Sequence, residues 1–174
     1  IIKPFETGNI VNFFIENDRF IAFMQTGEVS QSYDNGLNWS VTNPINDSIS
    51  YVIKGNNDYY VRAKNSILKL SENLTLLNTY HYSYNFGFNI TYHYLARNRR
   101  FMTFIENKLF LIDTSLSSFI VFDSNLKKLH TLDFKKRLLE SDCYMTNIIN
   151  DSKDLIFQCF NYSLDSSYIY KLNT

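Results

Sequence analysis

The chain has 174 residues, of which 45% are hydrophobic and 20% charged, and its 17 basic and 17 acidic residues give a net charge of zero. This composition can bury a core, which excludes a disordered or collagen-like chain, and zero net charge gives no overall field to hold the protein on nucleic acid or an anionic membrane. The abundance of Phe (15) and Tyr (13) favours strands over helices and predicts an all-β fold.

Four stretches along the chain share an apolar strand, a short Asn- or Asp-rich turn and a second apolar strand. Asn and Asp tolerate the left-handed backbone of a tight turn, so each stretch predicts a hairpin. The hairpins run from Val11 to Phe23, Tyr51 to Val61, Phe101 to Ile112 and Tyr144 to Phe157, with turns at residues 16–18, 56–58, 106–108 and 150–152. A third apolar stretch follows each hairpin and a fourth follows three of them, so a four-stranded antiparallel meander of about 45 residues repeats nearly four times.

A repeated meander of this size predicts the blades of a β-propeller, in one domain, and a β-sandwich is the alternative. The predicted blades cover approximately residues 8–43, 48–83, 100–134 and 142–174. The last blade lacks a fourth strand, which Ile1–Phe5 could supply to close a four-bladed ring. We favour instead a part of a larger propeller, because the chain starts abruptly and four blades are the lower limit of the class.

The turn between the third and fourth strands of the first unit reads Ser-Tyr-Asp-Asn-Gly-Leu-Asn-Trp, residues 32–39. An Asp side chain can accept backbone N–H bonds inside such a turn, Gly supplies a positive φ, and Trp can cover the loop. With Ser32, Asp34, Gly36 and Trp39 in place, the segment resembles the Asp-box, or bacterial neuraminidase repeat, of sialidases, sortilin-type receptors and non-enzymatic propellers. The family's usual Thr before Trp is Asn38 here. The resemblance implies a propeller in which these four residues brace the blade periphery, remote from any active centre.

The equivalent turns of the second and third units, residues 71–74 and 123–126, keep the turn but lack the Gly and the Trp. We therefore expect them to be degenerate versions of the first.

The sialidase resemblance would require three spaced arginines to bind the substrate carboxylate, a nucleophilic Tyr/Glu pair, and an Asp that acts as acid and base. Three of the six arginines (Arg97, Arg99 and Arg100) crowd into one segment instead. The sequence also contains no phosphate-binding loop and no nucleophile elbow, and the three histidines lack metal-ligand spacing. We therefore predict a protein without catalytic residues, metal or cofactor.

The connection between the second and third units, about residues 80–100, is longer than a minimal link and carries seven aromatic residues and three arginines. Such residues dominate protein interfaces and can stack on sugars or bases. The candidate binding residues are Tyr82, Tyr84, Tyr92, Tyr94, Arg97, Arg99 and Arg100. The alternative is an extra hairpin, Tyr80 to Phe86 against Asn89 to Leu95, that only covers a blade.

The cysteines, Cys143 and Cys159, are equally distant from the predicted turn around Asp151. They should therefore face each other across the hairpin, within disulfide range, and a reduced pair is the alternative.

Six Asn-Xaa-Ser/Thr sequons, slightly more than chance, suggest glycosylation. They lie at Asn38, Asn46, Asn73, Asn89, Asn150 and Asn161, and all but Asn38 are retained as glycosylation candidates. Together with the possible disulfide they favour a secreted, lumenal or cell-surface protein. A cytoplasmic protein from an organism with an Asn-, Lys- and Ile-rich coding bias is the alternative.

The longest apolar run, Phe20 to Met24, is far shorter than the roughly 20 residues of a membrane span, so we expect no membrane insertion. Taken together, these features predict a non-enzymatic module that recognises a protein partner. The alternative is a glycan-binding or sialidase-like propeller that lacks part of its ring. Nucleic acid is not expected as a partner.

Overall fold

The computed structural model of the chain describes residues 9–82, 102–113, 118–133, 143–151, 154–161 and 166–173. The described residues form β-strands arranged in four antiparallel sheets, and in each sheet neighbouring strands are consecutive in the sequence. The predicted all-β fold of repeated meanders is therefore confirmed. Within the described ranges, no helix is long and apolar enough to cross a membrane.

The first sheet contains β1 (Ile10–Glu16), β2 (Arg19–Met24), β3 (Val29–Ser32) and β4 (Ser40–Thr42). The second contains β5 (Ile49–Gly55), β6 (Asp58–Ala63), β7 (Ser66–Leu70) and β8 (Leu76–His81). The third contains β9 (Met102–Ile105), β10 (Lys108–Asp113), β11 (Ser118–Asp123) and β12 (Lys128–Asp133). The fourth has three described strands, β13 (Cys143–Asp151), β14 (Asp154–Asn161) and β15 (Ser166–Asn173). The N-terminal segment proposed to complete it, Ile1–Phe5, lies outside the described residues.

The turns of the first three hairpins fall where the sequence predicts them. Asn17, Asn56 and Asn107 have φ values of 50°, 55° and 63°, in the left-handed region. Asn tolerates this region better than most residues, which explains why the Asn-rich segments form the turns.

The fourth hairpin turns later than predicted. Asn150 and Asp151 continue β13, where they pair with Leu155 and Asp154, so the strand extends through two of the three residues predicted to turn. The buried side chains of Ile148, Leu155 and Phe157 occupy the core, and a strand keeps the register that buries its apolar face.

This register corrects the prediction that the two cysteines face each other. Cys143 pairs with Asn161, and Cys159 pairs with Met145, so the two cysteines occupy diagonal rather than opposite positions. Diagonal neighbours stand about 7–8 Å apart, beyond the usual Cα separation in a disulfide. The offset arises from the late turn, and the β-bulge between Met145 and Asn147 reduces it by one residue.

The chain divides into two compact units, Ile1–Val52 with Asn57–His81 and Ile53–Asn56 with Tyr82–Thr174. In the first unit a buried cluster joins the first sheet to the second. Phe14, Phe23 and Tyr59 form its aromatic centre, with ring centroids 5.3–5.8 Å apart. Aromatic pairs at such distances stabilise a core beyond their buried area. The Asn12 side-chain amide adds a 2.5 Å hydrogen bond to the Val52 carbonyl oxygen.

The second unit has its own core in the third and fourth sheets. Phe119 meets Phe157 edge-on at 5.2 Å, and Phe157 stacks on Tyr170 at 5.2 Å. Ile148 and Leu155 are fully buried beside them. Strands β4 and β12 are largely exposed and form the outer edges of their sheets.

Candidate functional site

Most of the aromatic and arginine residues predicted to bind a partner lie outside the described residues. Tyr84, Tyr92, Tyr94, Arg97, Arg99 and Arg100 belong to this group, as does the alternative hairpin from Tyr80 to Leu95 beyond residue 82. Tyr82 is described, and only 9% of its surface is exposed.

The predicted glycosylation sites occupy different settings. Asn46 and Asn73 are exposed. Asn38, the sequon not retained as a candidate, is exposed and bonded to Asp34. Asn150 and Asn161 lie in β13 and β14, and Asn89 lies outside the described residues.

The Ser32–Trp39 loop is the part of the predicted site that the structure describes completely. Its centre is the Asp34 carboxylate. Oδ1 accepts hydrogen bonds from the Asn38 backbone N–H and the Ser32 hydroxyl, both at 2.8 Å, and Oδ2 accepts one from the Asn38 side-chain amide at 2.7 Å. The Ser32 hydroxyl in turn accepts the Gly36 N–H at 2.9 Å. A single carboxylate thus ties both ends of the loop together.

These hydrogen bonds keep Asp34 ionised. The bond from the Asn38 backbone has the largest effect, followed by those from the Asn38 and Ser32 side chains, and together they lower the pKa of Asp34 from 3.8 to about 2. Hydrogen bonds to the charged form of a carboxyl group favour that form. The low pKa of Asp34 therefore follows from the hydrogen bonds of Ser32 and Asn38, which we call the Asp34 brace, and implies no reacting group.

An aromatic platform on β1 and β2 supports the loop. Phe13 lies 5.9 Å from Phe20 and 6.4 Å from Trp39, measured between ring centroids. The indole N–H of Trp39 donates a 2.9 Å hydrogen bond to the Gly36 carbonyl oxygen. Gly36 has a φ of 84° and sits between the rings of Phe20 and Trp39, where a Cβ would stand 3.6 Å and 3.7 Å from them. The position thus has room for a Cβ, and the positive φ is what favours glycine.

The loop presents two apolar side chains to solvent. Tyr33 is 67% exposed and Leu37 is 73% exposed. The Tyr33 hydroxyl donates a 3.2 Å hydrogen bond to Gln31 Oε1, and its ring packs against the Arg19 guanidinium, 5.9 Å from the ring centroid. An exposed tyrosine held in this way loses little conformational freedom on binding, which is a property of interface residues.

Arg19 is fixed by neutral acceptors, an arrangement the sequence analysis missed. Its Nε and Nη2 donate to Gln31 Oε1 at 3.1 Å and 2.8 Å, and its Nη1 donates to the Glu72 carbonyl oxygen at 2.7 Å. The β2–β3 pairing of Phe20 with Ser32 puts Arg19 across from Tyr33, so the strand register could have suggested this contact. The bond to Glu72 spans 53 positions, and no local pattern signals it.

In the first unit a buried tyrosine bonds to a half-buried glutamate. The Tyr59 hydroxyl donates a 2.6 Å hydrogen bond to Glu16 Oε1. Burial, followed by this bond to Glu16, raises the pKa of Tyr59. Tyr59 therefore stays protonated in the core and acts as a structural donor.

The sequence-equivalent turns of the second and third sheets use the same bonding with a different anchor. The side-chain oxygens of Ser71 and Asp123 accept the N–H four residues on, at 3.1 Å and 2.9 Å, as Asp34 does at 2.8 Å. The residue three positions on is leucine in all three turns. Leu74 and Leu126 are buried, at 5% and 4% exposed, whereas Leu37 points to solvent.

The described residues contain no group of three or more His, Cys, Asp or Glu side chains placed to hold a metal ion. Arg19 and Arg62 are the described arginines among the six, and Arg62 is buried in β6.

Comparison of the sequence with protein-family models finds no match, and comparison with curated proteins finds none either. Solved structures do match. YCF48 bound to D1 peptide superposes with a TM-score of 0.65 at 10% identity, over 92% of this chain and 50% of that one. The computationally designed Ika4 protein gives 0.62 at 8% identity, over 97% and 94%. The Neurospora crassa Pan2 WD40 domain gives 0.60 at 7% identity, over 98% and 52%.

The chain thus spans about half the length of the YCF48 and Pan2 structures that it resembles. Together with the four antiparallel sheets, these likenesses show a β-propeller fold, as the sequence repeat predicts. At sequence identities of 10% or less, these likenesses support the fold and say nothing of the function.

Proposed function

We propose that this chain is a non-enzymatic protein-recognition module on a β-propeller, and that its Ser32–Trp39 loop presents Tyr33 and Leu37 to the partner. The observation that carries the proposal is the exposure of Leu37. Two equivalent turns bury their leucine, while the first leaves it 73% exposed and lets Trp39 hold the loop instead.

Exposing Leu37 has a cost that folding alone does not explain. Burying a leucine side chain contributes about 1.5–3 kcal/mol, which the second and third turns gain and the first forgoes. The first turn also uses an extra residue set, Ser32, Asn38 and Trp39, to stay rigid without that burial. A rigid loop with an exposed leucine and an exposed tyrosine has the composition of a binding surface.

The resemblance to a structure that contains a bound peptide supports this proposal. The YCF48 structure contains a D1 peptide, so a protein with the same fold accommodates a peptide chain. We extend the proposal to the aromatic and arginine segment from Tyr82 to Arg100 as a second contact region. We also propose that the loop is an Asp-box, because its Ser32, Asp34, Gly36 and Trp39 make the contacts that this motif would require.

The test of the loop is a double variant with a matched control. Tyr33→Ser with Leu37→Ser should weaken partner capture about tenfold or more, because hot-spot residues cost above 1–2 kcal/mol on truncation. Leu76→Ser with Leu77→Ser, two exposed leucines of β8, is the control and should leave capture unchanged. A photo-crosslinker at position 37, compared with one at position 77, identifies the partner that the variants are scored against.

The proposal fails if the Tyr33/Leu37 variant captures the crosslinked partner as well as the wild type while remaining folded. The second contact region is tested separately by Tyr92→Ala, Tyr94→Ala and Arg97→Ala, which should reduce capture without changing the melting temperature.

Glycan binding is the second candidate, because the Asp34 hydrogen bonds fit the motif that sialidases contain. Binding of sialylated glycans on an array, or turnover of a fluorogenic sialoside, would favour it. Neither signal is expected if the chain recognises protein alone.

A secreted or cell-surface location remains part of the proposal. Glycan mass on Asn46 or Asn73, removable by an N-glycosidase, would support it, and a protein without glycan in its native source would favour the cytoplasm.

A further inference from the structure

The Ser32–Trp39 loop contains the one Asn-Gly sequence of the chain, Asn35–Gly36. Asparagine followed by glycine is the pair most prone to spontaneous deamidation, because a residue without Cβ lets its backbone nitrogen reach the preceding side-chain amide carbon. The reactive groups are the Gly36 backbone nitrogen and the Asn35 side-chain carbon Cγ.

In the folded loop only one of these two groups is available. Asn35 is exposed, and within the described part of the chain its side chain makes no hydrogen bond that would hold it in place. The Gly36 N–H is occupied, because it donates a 2.9 Å hydrogen bond to the Ser32 hydroxyl. The Gly36 nitrogen must break this hydrogen bond, give up its proton and turn toward Asn35 before it can attack.

The Ser32 hydroxyl is itself fixed. Its hydrogen points to Asp34 Oδ1 at 2.8 Å, and its side chain is buried at the end of β3. Since Asp34 remains ionised and orients the Ser32 hydrogen away from Gly36, a lone pair of the hydroxyl oxygen stays directed at the Gly36 N–H. The brace therefore restrains the nucleophile and leaves the electrophile free.

We propose that Asn35–Gly36 is a latent modification site, which the Ser32–Asp34 brace keeps unreactive while the loop is closed and which deamidates when the loop opens. The site needs no enzyme and no cofactor, and its co-reactant is water.

The reaction balances as follows. Base removes the Gly36 amide proton, and the nitrogen attacks Asn35 Cγ to form a C–N bond, while the bond from Cγ to the side-chain nitrogen breaks and ammonia leaves with a proton. Water then opens the cyclic imide at either carbonyl carbon. The product is aspartate or isoaspartate at position 35, and the net change is addition of water and loss of ammonia.

Either product weakens the loop. A new carboxylate at position 35 adjoins the Asp34 carboxylate, and like charges at this distance repel. Isoaspartate also routes the main chain through Cβ, which changes the spacing between Asp34 and Gly36. The hydrogen bonds to Asn38 and to Trp39 should both suffer, and Trp39 reports the change because it is the single tryptophan of the chain.

The test compares deamidation rates at position 35 by peptide mass spectrometry after incubation of the full chain in mildly alkaline buffer. Ser32→Ala removes the acceptor of the Gly36 N–H and should deamidate roughly fivefold faster than the wild type, the rate equivalent of one hydrogen bond. Ser32→Thr keeps a hydroxyl and should behave like the wild type. A synthetic peptide of residues 28–42, which lacks the fold, should react fastest.

Tryptophan fluorescence confirms that each variant is folded and should shift as position 35 converts. Equal rates for the folded wild type and the peptide would overturn the proposal, as would equal rates for folded Ser32→Ala and the wild type. If Ser32→Ala fails to fold, Asp34→Asn replaces it and should accelerate the reaction by releasing the Ser32 hydroxyl. An unchanged rate in that variant would also count against the brace.

Discussion

The Asp34 loop of the first sheet and the Asp123 turn of the third share one hydrogen-bonding scheme and differ in what they bury. In both, the aspartate carboxylate accepts a hydrogen bond from the backbone N–H four residues on, at 2.8 Å and 2.9 Å. The backbone carbonyl oxygen of the same aspartate accepts one from the N–H three residues on. Leu126 anchors the Asp123 turn in the core. Leu37, at the same position of the Asp34 loop, is exposed.

The backbone explains the difference. The Asp123 turn places its left-handed residue at Leu126, with a φ of 63°, whereas the Asp34 loop places two at Asn35 and Gly36, with φ values of 58° and 84°. The earlier left-handed residues turn the chain so that Trp39, two residues after Leu37, takes over the anchoring contact with Gly36. The comparison teaches that the shared bonds define the turn and that the anchor decides which side chain remains available to a partner.

The largest effect is expected from removing the leucine anchor. Leu126→Ala should lower the free energy of unfolding by about 2–5 kcal/mol, because it truncates a buried leucine. Leu37→Ala, the matched control, should change it by no more than about 0.5 kcal/mol, because the side chain is solvated. Urea unfolding of both variants measures the difference, and equal losses would contradict the contrast between the two turns.

A smaller effect is expected at the glycine of the Asp34 loop. Gly36→Ala should cost about 1–2 kcal/mol, because an L-residue pays this to adopt the left-handed region and the new Cβ has room. Asn125→Ala, at the equivalent position of the Asp123 turn, should destabilise the fold less, because Asn125 does not have a positive φ. Thermal unfolding compares them, and a larger loss at Asn125 would refute the assignment of strain.

The indole hydrogen bond should contribute less again. Trp39→Phe keeps an aromatic ring over Gly36 but loses the N–H bond to its carbonyl oxygen, a loss of about 1 kcal/mol. Tyr33→Phe, which removes an exposed hydroxyl, is the control and should have a smaller effect. Chemical denaturation of the two variants provides the measurement, and indistinguishable losses would show that the indole bond does not hold the loop.

The smallest effect is expected from acid. The pKa of Asp34 is lowered from 3.8 to about 2, so its contribution to stability is fully present above pH 3.8 and is lost as the pH falls through about 2. Trp39 fluorescence should therefore shift over this window in the wild type. Asp34→Asn should remove the transition, and a transition that persists in the variant would assign it to another carboxyl group.

Much of the architecture could be predicted from sequence because it is local. Asn17, Asn56 and Asn107 form the turns that their neighbours indicate, and the short apolar runs of β7 and β11 form strands that are buried along most of their length. At Asn150–Ser152 the turn was predicted too early, because a row of turn-forming residues does not say which of them turns. Packing of Ile148 and Leu155 then selected the register.

The candidate site divides in the same way. The Ser32–Trp39 loop was identifiable because the hydrogen bonds of Asp34 and of the Trp39 indole all lie within eight residues. The contact of Arg19 with Glu72 joins two sheets of the first unit, and the burial of Tyr82 depends on its surroundings, so neither follows from a sequence pattern.

The sequence by itself therefore determined the repeat, the strands, most of the turns and the Asp34 brace, because each depends on residues close together in the chain. Only the tertiary structure decided the offset of Cys143 from Cys159, the fixing of Arg19 by Gln31, and the exposure of Leu37 where Leu74 and Leu126 are buried. The physical reason is that burial depends on what packs against a side chain. A leucine three residues after the same hydrogen-bonding group can thus be part of the core in one sheet and exposed to solvent in another.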